Sequence, residues 1–324
     1  MNEETKIEDA PLDLATLLTQ TLRTGGKVTD SHLVELTPAQ IVEDTATEVH
    51  CYRLPIDAHG RVRFKPLAEF LRARIVDYAI PRKRIEEAKN SFNDTGSSAL
   101  VLKLEKEAEA LFTSLAKSGE GGELLVFAFA EAVFGMSQII SKMSLKTSTE
   151  MHYHGADGVY AKGTDDGGLK VYWGESKLYG GASDAVRDCL NSLAPFLTDT
   201  DGADSARTRD VFLINEFANF DDQKLTEGLK NYFNQDKKES LALRHCGLAL
   251  VGFDSTSYLE DGQNIDENAL ETALQEEVPG WIKQIKSRVG KEEITSFEIS
   301  FICVPMRAIE EFRSYFLSLL GHET

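Results

Sequence analysis

Hydrophobic residues recur along this chain at two spacings, every third or fourth position and every second position, which are typical of helices and strands respectively. Proline and glycine mark several boundaries, since proline is tolerated in the first turn of a helix and glycine often follows the last. The first half is predicted to contain a short amphipathic helix within 12–22, a strand at 48–56, and helices at 66–78, from about 83, and at 99–117. We interpret this half as an acidic N-terminal segment, 1–45, followed by an α/β region, 46–118.

The second half begins at the glycine-rich stretch 119–122 and is richer in strands. A helix that is apolar almost all round should run from Glu123 to about Lys142, and such a helix is normally buried in a core. Beyond it the pattern predicts strands at 156–161 and 169–176 joined by a turn at 164–168, a helix at 183–196, helical segments within 207–234, a strand at 244–253, a helix at 266–290, a strand at 296–305 and a final helix at 306–320. This order predicts an α/β fold with a central mixed sheet flanked by helices. Residues 119–324 would form its core, with a helical insertion at about 198–240.

Charge is distributed unevenly over the 324 residues, whose net charge is −18. Such acidity opposes DNA binding, because the neutralisation of phosphates drives most of that association. Between positions 61 and 84, however, eight basic residues face only two acidic ones; the basic residues are Arg61, Arg63, Lys65, Arg72, Arg74, Arg82, Lys83 and Arg84. This surplus is a candidate contact surface for DNA or for a partner, although a solvated helix face is an equally good interpretation. The acidity elsewhere indicates that a partner helps to deliver any DNA substrate.

Several classes of protein are excluded by the patterns that the sequence lacks. No apolar stretch approaches the roughly 20 residues of a membrane helix, and the first residues show no signal-peptide pattern. The four cysteines are scattered and form no CxxC pair, so neither a zinc knuckle nor a disulfide framework is supported. A serine-hydrolase elbow and a phosphate-binding P-loop are also missing. We therefore expect a cytoplasmic protein with reduced thiols.

One group of residues could carry out metal-dependent phosphodiester hydrolysis. Glu175 and Lys177 are two positions apart on a predicted strand, so their side chains should project from the same face. Asp157 lies on the preceding predicted strand, 156–161, and the turn at 164–168 would bring it back beside Glu175. Two carboxylates and the backbone carbonyl of Ser176 would suit a hard cation, Mg²⁺ or Mn²⁺. Lys177 would then orient or help to deprotonate the attacking water and stabilise charge on the phosphate.

A third carboxylate could complete this metal site from the preceding helix. Glu123 is the best candidate, because it begins a buried apolar helix where an unpaired carboxylate would be costly. Glu120 and Glu131 are the alternatives. Two histidines, His152 and His154, lie just before Asp157, where they could approach the phosphate or simply bond to neighbouring residues.

Three strings in this region resemble motifs of the PD-(D/E)xK nuclease superfamily: 122–125 (GELL), 154–160 (HGADGVY) and 173–177 (WGESK). More narrowly, they resemble the HamA family, the nuclease subunit of the Hachiman antiphage defence system, from about residue 45 to the C-terminus. The resemblance implies a restriction-endonuclease-like core whose carboxylates and lysine correspond to Glu123, Asp157, Glu175 and Lys177. Ala156 stands where the motif of the superfamily has proline, at a position that varies among such proteins.

The same resemblance implies a partner and a form of control. A helicase-like subunit, HamB, would hold the nuclease inactive until phage DNA or DNA damage is engaged, and released cleavage would degrade both phage and host DNA. The alternative is a non-catalytic adaptor that keeps a nuclease-like fold in order to bind its partner. A buried, metal-free site with Lys177 bonded to Glu175 would favour that adaptor. Activity on RNA rather than DNA is a third hypothesis, which the residues alone do not separate from the first.

Overall fold

The computed structural model describes residues 14–23, 26–112, 119–140, 143, 155–198, 207–208, 211, 222–258 and 264–322. Its principal helices are α1 (Leu14–Gln20), α2 (Val28–Ser31), α3 (Phe64–Arg72), α4 (Ile75–Ala79), α5 (Arg82–Thr95), α6 (Ala99–Leu111), α7 (Glu120–Ala132), α8 (Ala182–Thr198), α9 (Gln223–Phe233), α10 (Glu267–Lys291) and α11 (Ile309–Leu319). Its strands are β1 (Val34–Ile41), β2 (Thr47–Arg53), β3 (Ser137–Ile140), β4 (Gly158–Gly163), β5 (Leu169–Tyr179), β6 (Leu243–Asp254) and β7 (Ile299–Met306).

All seven of these strands belong to one mixed sheet, in the order β1-β2-β7-β6-β5-β4-β3. The four central strands, β2, β7, β6 and β5, run parallel. The edge strands are antiparallel to their neighbours, β1 to β2 at one side and β4 to β5 and β3 to β4 at the other. The predicted α/β fold with a mixed sheet flanked by helices is therefore confirmed.

Helices cover both faces of β5, the strand that carries the candidate chemistry. Successive residues of a strand point to opposite faces, and the two faces of β5 meet different helices. Trp173 stacks on Phe196 of α8, with ring centroids 5.4 Å apart. A Cβ added to its neighbour Gly174 would instead lie 3.2 Å from Val126 of α7. Because α7 and α8 enclose the strand between them, polar side chains on β5 lie next to the core.

The N-terminal region contributes to the same sheet as the rest of the chain. β2 pairs with β7 in parallel register, which joins residues 47–51 to residues 299–303. β1 then closes that side of the sheet as an antiparallel edge strand. The predicted acidic segment, 1–45, thus overlaps β1, while α9 and a 3₁₀ helix (Lys238–Ala242) lie within the predicted insertion, 198–240. The proposed domain boundaries stay a prediction.

Several predicted helices are shorter in the structure than the hydrophobic pattern indicated; the one predicted at 99–117, for example, ends at Leu111, where Phe112 is extended. The helix predicted from Glu123 to about Lys142 ends at Ala132 and is followed by strand β3. The cause is Gly135, whose φ of 64° is left-handed and which favours the end of a helix. The helix predicted from 66 to 78 divides into α3 and α4, because Arg74 interrupts it with φ −110° and ψ 3°.

The four cysteines of the chain are all buried and form no disulfide. Within the described residues, none of the helices combines the length and the apolar character that crossing a bilayer would require.

Candidate active site

The β4–β5 hairpin brings Asp157 beside the centre of β5, as the sequence predicted. Gly158 pairs with Gly174 in the antiparallel register, and the Asp157 N–H donates to the Gly174 carbonyl over 2.8 Å. The Asp157 carboxylate then accepts two hydrogen bonds at Oδ2, from the Ser176 backbone N–H and the Ser176 hydroxyl, each 2.8 Å long. The carboxylate is therefore held in one orientation against the strand that carries Glu175 and Lys177.

Glu175 and Lys177 project from the opposite face to Ser176 and contact each other. The Lys177 Nζ forms an ion pair with Glu175 Oε1. The Glu175 side chain is only 6% exposed, whereas that of Lys177 is 22% exposed. The expectation that the two residues share one face of an extended strand is therefore confirmed, and the lysine lies at the solvent side of the pair.

The electrostatics of this pair decide the protonation state of Lys177. Burial lowers the pKa of the Lys177 ammonium, but the negative charges of Glu175 and Asp157 raise it by more, so the pKa stays above its usual range. Lys177 is consequently a cation at neutral pH in this arrangement. It can orient a water molecule or offset phosphate charge, but it cannot accept a proton from that water while both carboxylates are ionised around it.

The backbone carbonyl of Ser176 faces the same side of β5 as Asp157. Residues two positions apart on a strand direct their carbonyls to the same neighbour, and the Gly174 carbonyl accepts a bond from Asp157. Ser176 lies beyond the last β4–β5 pair, so its carbonyl points past the start of β4. A metal ligand at this carbonyl is thus compatible with the local backbone.

Glu123, the predicted third carboxylate, lies on α7 and takes part in a different hydrogen bond. The Tyr78 hydroxyl donates to Glu123 Oε2 over 2.7 Å. Burial raises the pKa of Tyr78 well above its usual value, and the charges of Glu123 and Asp157 both raise it further. The charge of Asp157 therefore acts on both Tyr78, the partner of Glu123, and Lys177, the partner of Glu175.

Across the ranges that the structure describes, no three Asp, Glu, His or Cys side chains are grouped closely enough to hold a metal ion. Asp157 and the Glu175–Lys177 pair are brought together, whereas Glu123 is not placed in a common metal cluster with them. Of the alternatives to Glu123, Glu131 is buried in an ion pair with Arg82 at 2.6 Å. The side chain of Glu120 and the residues His152 and His154 lie outside the described parts.

The basic residues predicted to contact DNA or a partner are largely occupied by internal partners. Arg74 is 4% exposed, lies 4.4 Å from the Phe70 ring centroid and donates to the Gly26 carbonyl. The remaining ion pairs are Arg61 with Asp57, Arg72 with Glu105 and Glu109, Arg82 with Glu131, and Arg84 with Glu107. This pairing removes much of the local surplus of positive charge. Arg61, Arg63, Lys65, Lys83 and Arg84 are exposed, and contact through them stays a prediction.

Tyr78 lies next to the site and was not predicted from the sequence. The need for a partner to Glu123 was predicted from the cost of burying a lone carboxylate. Nothing in the local pattern identified a tyrosine 45 positions earlier as that partner. Its place depends on how α4 packs against α7, which is a tertiary contact.

The fold and this cluster define the chain as an α/β protein with one mixed sheet and a carboxylate–lysine pair on a central strand. A family model described as HamA matches residues 30–320, which include every described residue of the cluster. The chain belongs to the HamA family and is thereby a component of the Hachiman antiphage defence system. A comparison with curated proteins found no match.

Proposed function

We propose that this chain is a metal-dependent DNA nuclease with a PD-(D/E)xK core, and that it acts as the effector of its defence system. The observation that carries the proposal is the convergence of Asp157, Glu175 and Lys177 at one point of β5. Their charges act on one another, as the raised pKa of Lys177 indicates. Two carboxylates beside one lysine ammonium group suit metal-dependent hydrolysis of a phosphodiester.

The residues present fit a hard divalent cation, Mg²⁺ or Mn²⁺. Asp157, Glu175 and the Ser176 carbonyl would supply oxygen ligands, which such cations prefer. Ser176 fixes Oδ2 of Asp157, and among the described residues no donor bonds to Oδ1, so this oxygen can turn to a cation. Glu123, which accepts a hydrogen bond from Tyr78, would join directly or through a bound water. When present, the cation lowers the pKa of a coordinated water and neutralises developing charge.

Lys177 would serve this reaction as an ammonium group. Because Glu175 and Asp157 keep it protonated, it would donate a hydrogen bond to a non-bridging phosphate oxygen and offset the charge that grows in the transition state. Ser176 would act on Asp157 by holding one carboxylate oxygen in place. The proton of the attacking water would leave to a carboxylate or to solvent rather than to Lys177.

We further propose that a helicase subunit, HamB, controls this activity. The family membership supports such a partner. The net charge of −18 also supports it, because a chain this acidic associates weakly with DNA by itself. The ion pairs of Arg72 and Arg82 and the burial of Arg74 leave still less positive charge for an independent DNA contact. Delivery of DNA by the partner would overcome this repulsion.

The test compares cleavage by the parent chain with that by Glu175→Gln and Lys177→Met, each alone and with the helicase subunit. Supercoiled plasmid, labelled linear DNA and labelled RNA are incubated with Mg²⁺ or Mn²⁺, and with EDTA as the metal-free control. We expect each substitution to lower the cleavage rate by about 100-fold or more, and EDTA to abolish it. Lys237→Gln, a change at an exposed lysine just before the 3₁₀ helix, is the matched control and should cut like the parent.

Two results would overturn different parts of this proposal. A parent chain that cuts no DNA, with or without its partner, refutes the enzyme. Cleavage at the parental rate by both site variants refutes the assignment of the site. Preferential cleavage of RNA would leave the assignment of the site intact but would show that the substrate is RNA rather than DNA.

A second candidate function, a non-catalytic adaptor, is favoured by one observation. Lys177 forms an ion pair with Glu175, and Ser176 donates two hydrogen bonds to Asp157. Both carboxylates therefore have partners within the cluster itself. An adaptor would bind the helicase subunit equally well in the parent and in Glu175→Gln. It would also show no change in melting temperature on addition of Mn²⁺, whereas a metal-binding nuclease site would be stabilised by its ligand.

A further inference from the structure

A basic groove lies between α8 and α10, on the face of the sheet that carries Glu175 and Lys177. Its volume is about 430 Å³, and its polar lining consists mainly of Ser183, Arg187, Lys283, Ser287, Arg288 and Lys291. Four of these six residues are basic in a chain whose net charge is −18. The groove therefore concentrates positive charge against the trend of the whole molecule.

The groove owes its charge chiefly to one stripe of α10. Lys283, Ser287 and Lys291 are spaced four residues apart, so they lie on one face of the helix, and all three are exposed. The opposite face, with Ile285 and Val289, is fully buried in the core. This packing fixes the rotation of α10 and turns the stripe outward.

The two lysines differ from the arginines of the groove in their pairing. Arg187 bonds to Asp184 and Asp188, and Arg288 forms an ion pair with Glu292. Among the residues that the structure describes, no carboxylate forms an ion pair with Lys283 or Lys291. The uncompensated charge of the groove thus belongs to these two ammonium groups.

The first turns of α8 connect the groove to the candidate active site. Asp188 accepts a hydrogen bond from Arg187 Nε over 2.7 Å. The bond from Arg187 lowers the pKa of Asp188, and the Tyr179 hydroxyl and the charge of Lys177 lower it as well. Asp188 is therefore in electrostatic reach of both Lys177 and the groove, which places the two features side by side.

We propose that the α8–α10 groove binds the sugar–phosphate backbone of the DNA that the active site cleaves. Lysine ammonium groups and serine hydroxyls bind phosphate oxygens without reading bases, so the contact would be independent of sequence. The groove would also set the direction in which the strand leaves the site. This inference rests on the proposed nuclease function, but it concerns binding and is tested by binding.

The experiment measures association of fluorescently labelled double-stranded DNA with the full chain by anisotropy, over a series of salt concentrations. Every protein carries Glu175→Gln so that the DNA stays intact. Lys283→Gln/Lys291→Gln and the charge reversal Lys283→Glu/Lys291→Glu are compared with the unaltered groove. Lys237→Glu/Lys238→Glu makes the same change of net charge at two other exposed lysines and is the matched control.

We expect the charge reversal to weaken binding at least tenfold at low salt, while the control variant changes it far less. Loss of two phosphate contacts should also lower the slope of log K against log salt by roughly 1.8, since each contact contributes about 0.9. Equal affinity and slope in the groove variants and the control would overturn the inference, as would failure of the unaltered groove to bind DNA at low salt. If the parent cleaves DNA but the groove variants bind DNA like the control, only this inference is refuted. If the groove binds DNA but the parent cleaves none, only the proposed function is refuted.

Discussion

At the scale of single residues, the position of Asp157 depends on Gly122, a glycine of the neighbouring helix α7. Gly122 of α7 packs so closely on β5 that an added Cβ would lie 2.8 Å from the Ser176 Oγ and 3.1 Å from its Cβ. Ser176 is the residue that holds the Asp157 carboxylate through two hydrogen bonds. The close packing of α7 on β5 thus helps to fix the position of Asp157, the candidate metal ligand.

Gly122→Ala should therefore impair both folding and the site. Forcing a methyl group into this contact should cost about 1–3 kcal/mol of unfolding free energy, and the displaced Ser176 should lower cleavage further. Urea unfolding and plasmid cleavage measure the two effects. Gly280→Ala is the control, because a Cβ there meets nothing within 4 Å and alanine stabilises a helix by about 0.4–1 kcal/mol relative to glycine. Equal stability of the two variants would contradict the packing argument.

Buried tyrosines make stability sensitive to alkaline pH. Burial raises the pKa of Tyr52 from 10.0 to about 12, with the charge of Glu35 as a smaller cause. The folded state thus favours the neutral phenol, so this contribution to stability is complete below pH 10 and is lost as the pH rises towards about 12. Tyr52→Phe should flatten the decline of unfolding free energy in this range while leaving it nearly unchanged at neutral pH. Parallel pH profiles of the parent and the variant would contradict this assignment.

The residues of the candidate site differ in how far the sequence could predict them. The shared face of Glu175 and Lys177 could be predicted because they are two positions apart on one strand. The position of Asp157 could be predicted because a short local turn joins its strand to theirs. The ion pairs of Arg72 in α3 and Arg84 in α5 with glutamates of α6 could not be predicted, because they require knowing how these helices pack against α6. Counting charges along a sequence shows a surplus but not the carboxylates that neutralise it.

At the scale of elements, one buried carboxylate of α7, Glu131, joins three other segments to this helix. Glu131 pairs with Arg82 of α5 at 2.6 Å and accepts from the backbone N–H of Gln138 in β3 at 3.1 Å. It also accepts from the Arg23 N–H, just after α1, at 2.9 Å. Burial lowers the pKa of Arg82 to about 10, although the Glu131 charge opposes that shift. The network fixes the first helix and the edge strand to the core.

Glu131→Ala should destabilise the protein by about 3–5 kcal/mol, because it leaves a buried arginine charge without its partner. Urea unfolding of the parent and the variant measures the loss. Lys286→Ala, which removes an ion pair on the surface with Glu43 and Asp44, should cost less than about 1 kcal/mol. If Glu131→Ala costs no more than the surface change, the network does not hold these segments together.

Helix boundaries were predictable only where a local signal marked them. The turn between β4 and β5 followed from its glycine and aspartate residues, and Pro81 correctly preceded a helix, α5. The end of α7 was missed because Val133, Phe134 and Met136 continue the apolar run, so hydrophobicity alone favours more helix. The left-handed backbone at Gly135 lies between the end of the helix at Ala132 and the start of β3 at Ser137.

At the scale of the whole molecule, the excess of acidic over basic residues opposes the compact state. The chain contains 53 acidic and 35 basic residues, and like charges on a folded surface repel each other more than in an extended chain. Salt weakens this repulsion, with a screening length of about 8 Å at physiological ionic strength. Stability and DNA binding should consequently respond to salt in opposite directions.

The melting temperature should therefore rise as NaCl is added up to about physiological ionic strength, while DNA association weakens. Differential scanning fluorimetry over the same salt series measures the first effect. Lys237→Glu/Lys238→Glu increases the acidity and should show a larger rise than the parent. A melting temperature that is flat or falls with added NaCl would contradict a dominant role for self-repulsion.

The order of strands in the sheet is the part of the fold that the sequence left open. Alternating helices and strands predicted a mixed sheet, but not that β2 would lie between β1 and β7. In that arrangement Cys51 of β2 lies opposite Cys303 of β7 in the strand register, although the two residues are far apart in the sequence. Apolar parallel strands such as β6 and β7 satisfy the same hydrophobic pattern in several orders, and the packing of the helices between them selects one.

The burial of all four cysteines gives the molecule a surface without thiols. Each of them is at most 2% exposed, so a maleimide dye applied to the native protein would find no reactive sulfur. A single engineered cysteine would then be labelled selectively, and Lys291→Cys would place the dye at the rim of the α8–α10 groove. Its fluorescence would show when the groove is covered, whether by DNA or by the helicase subunit, in the assembled defence complex.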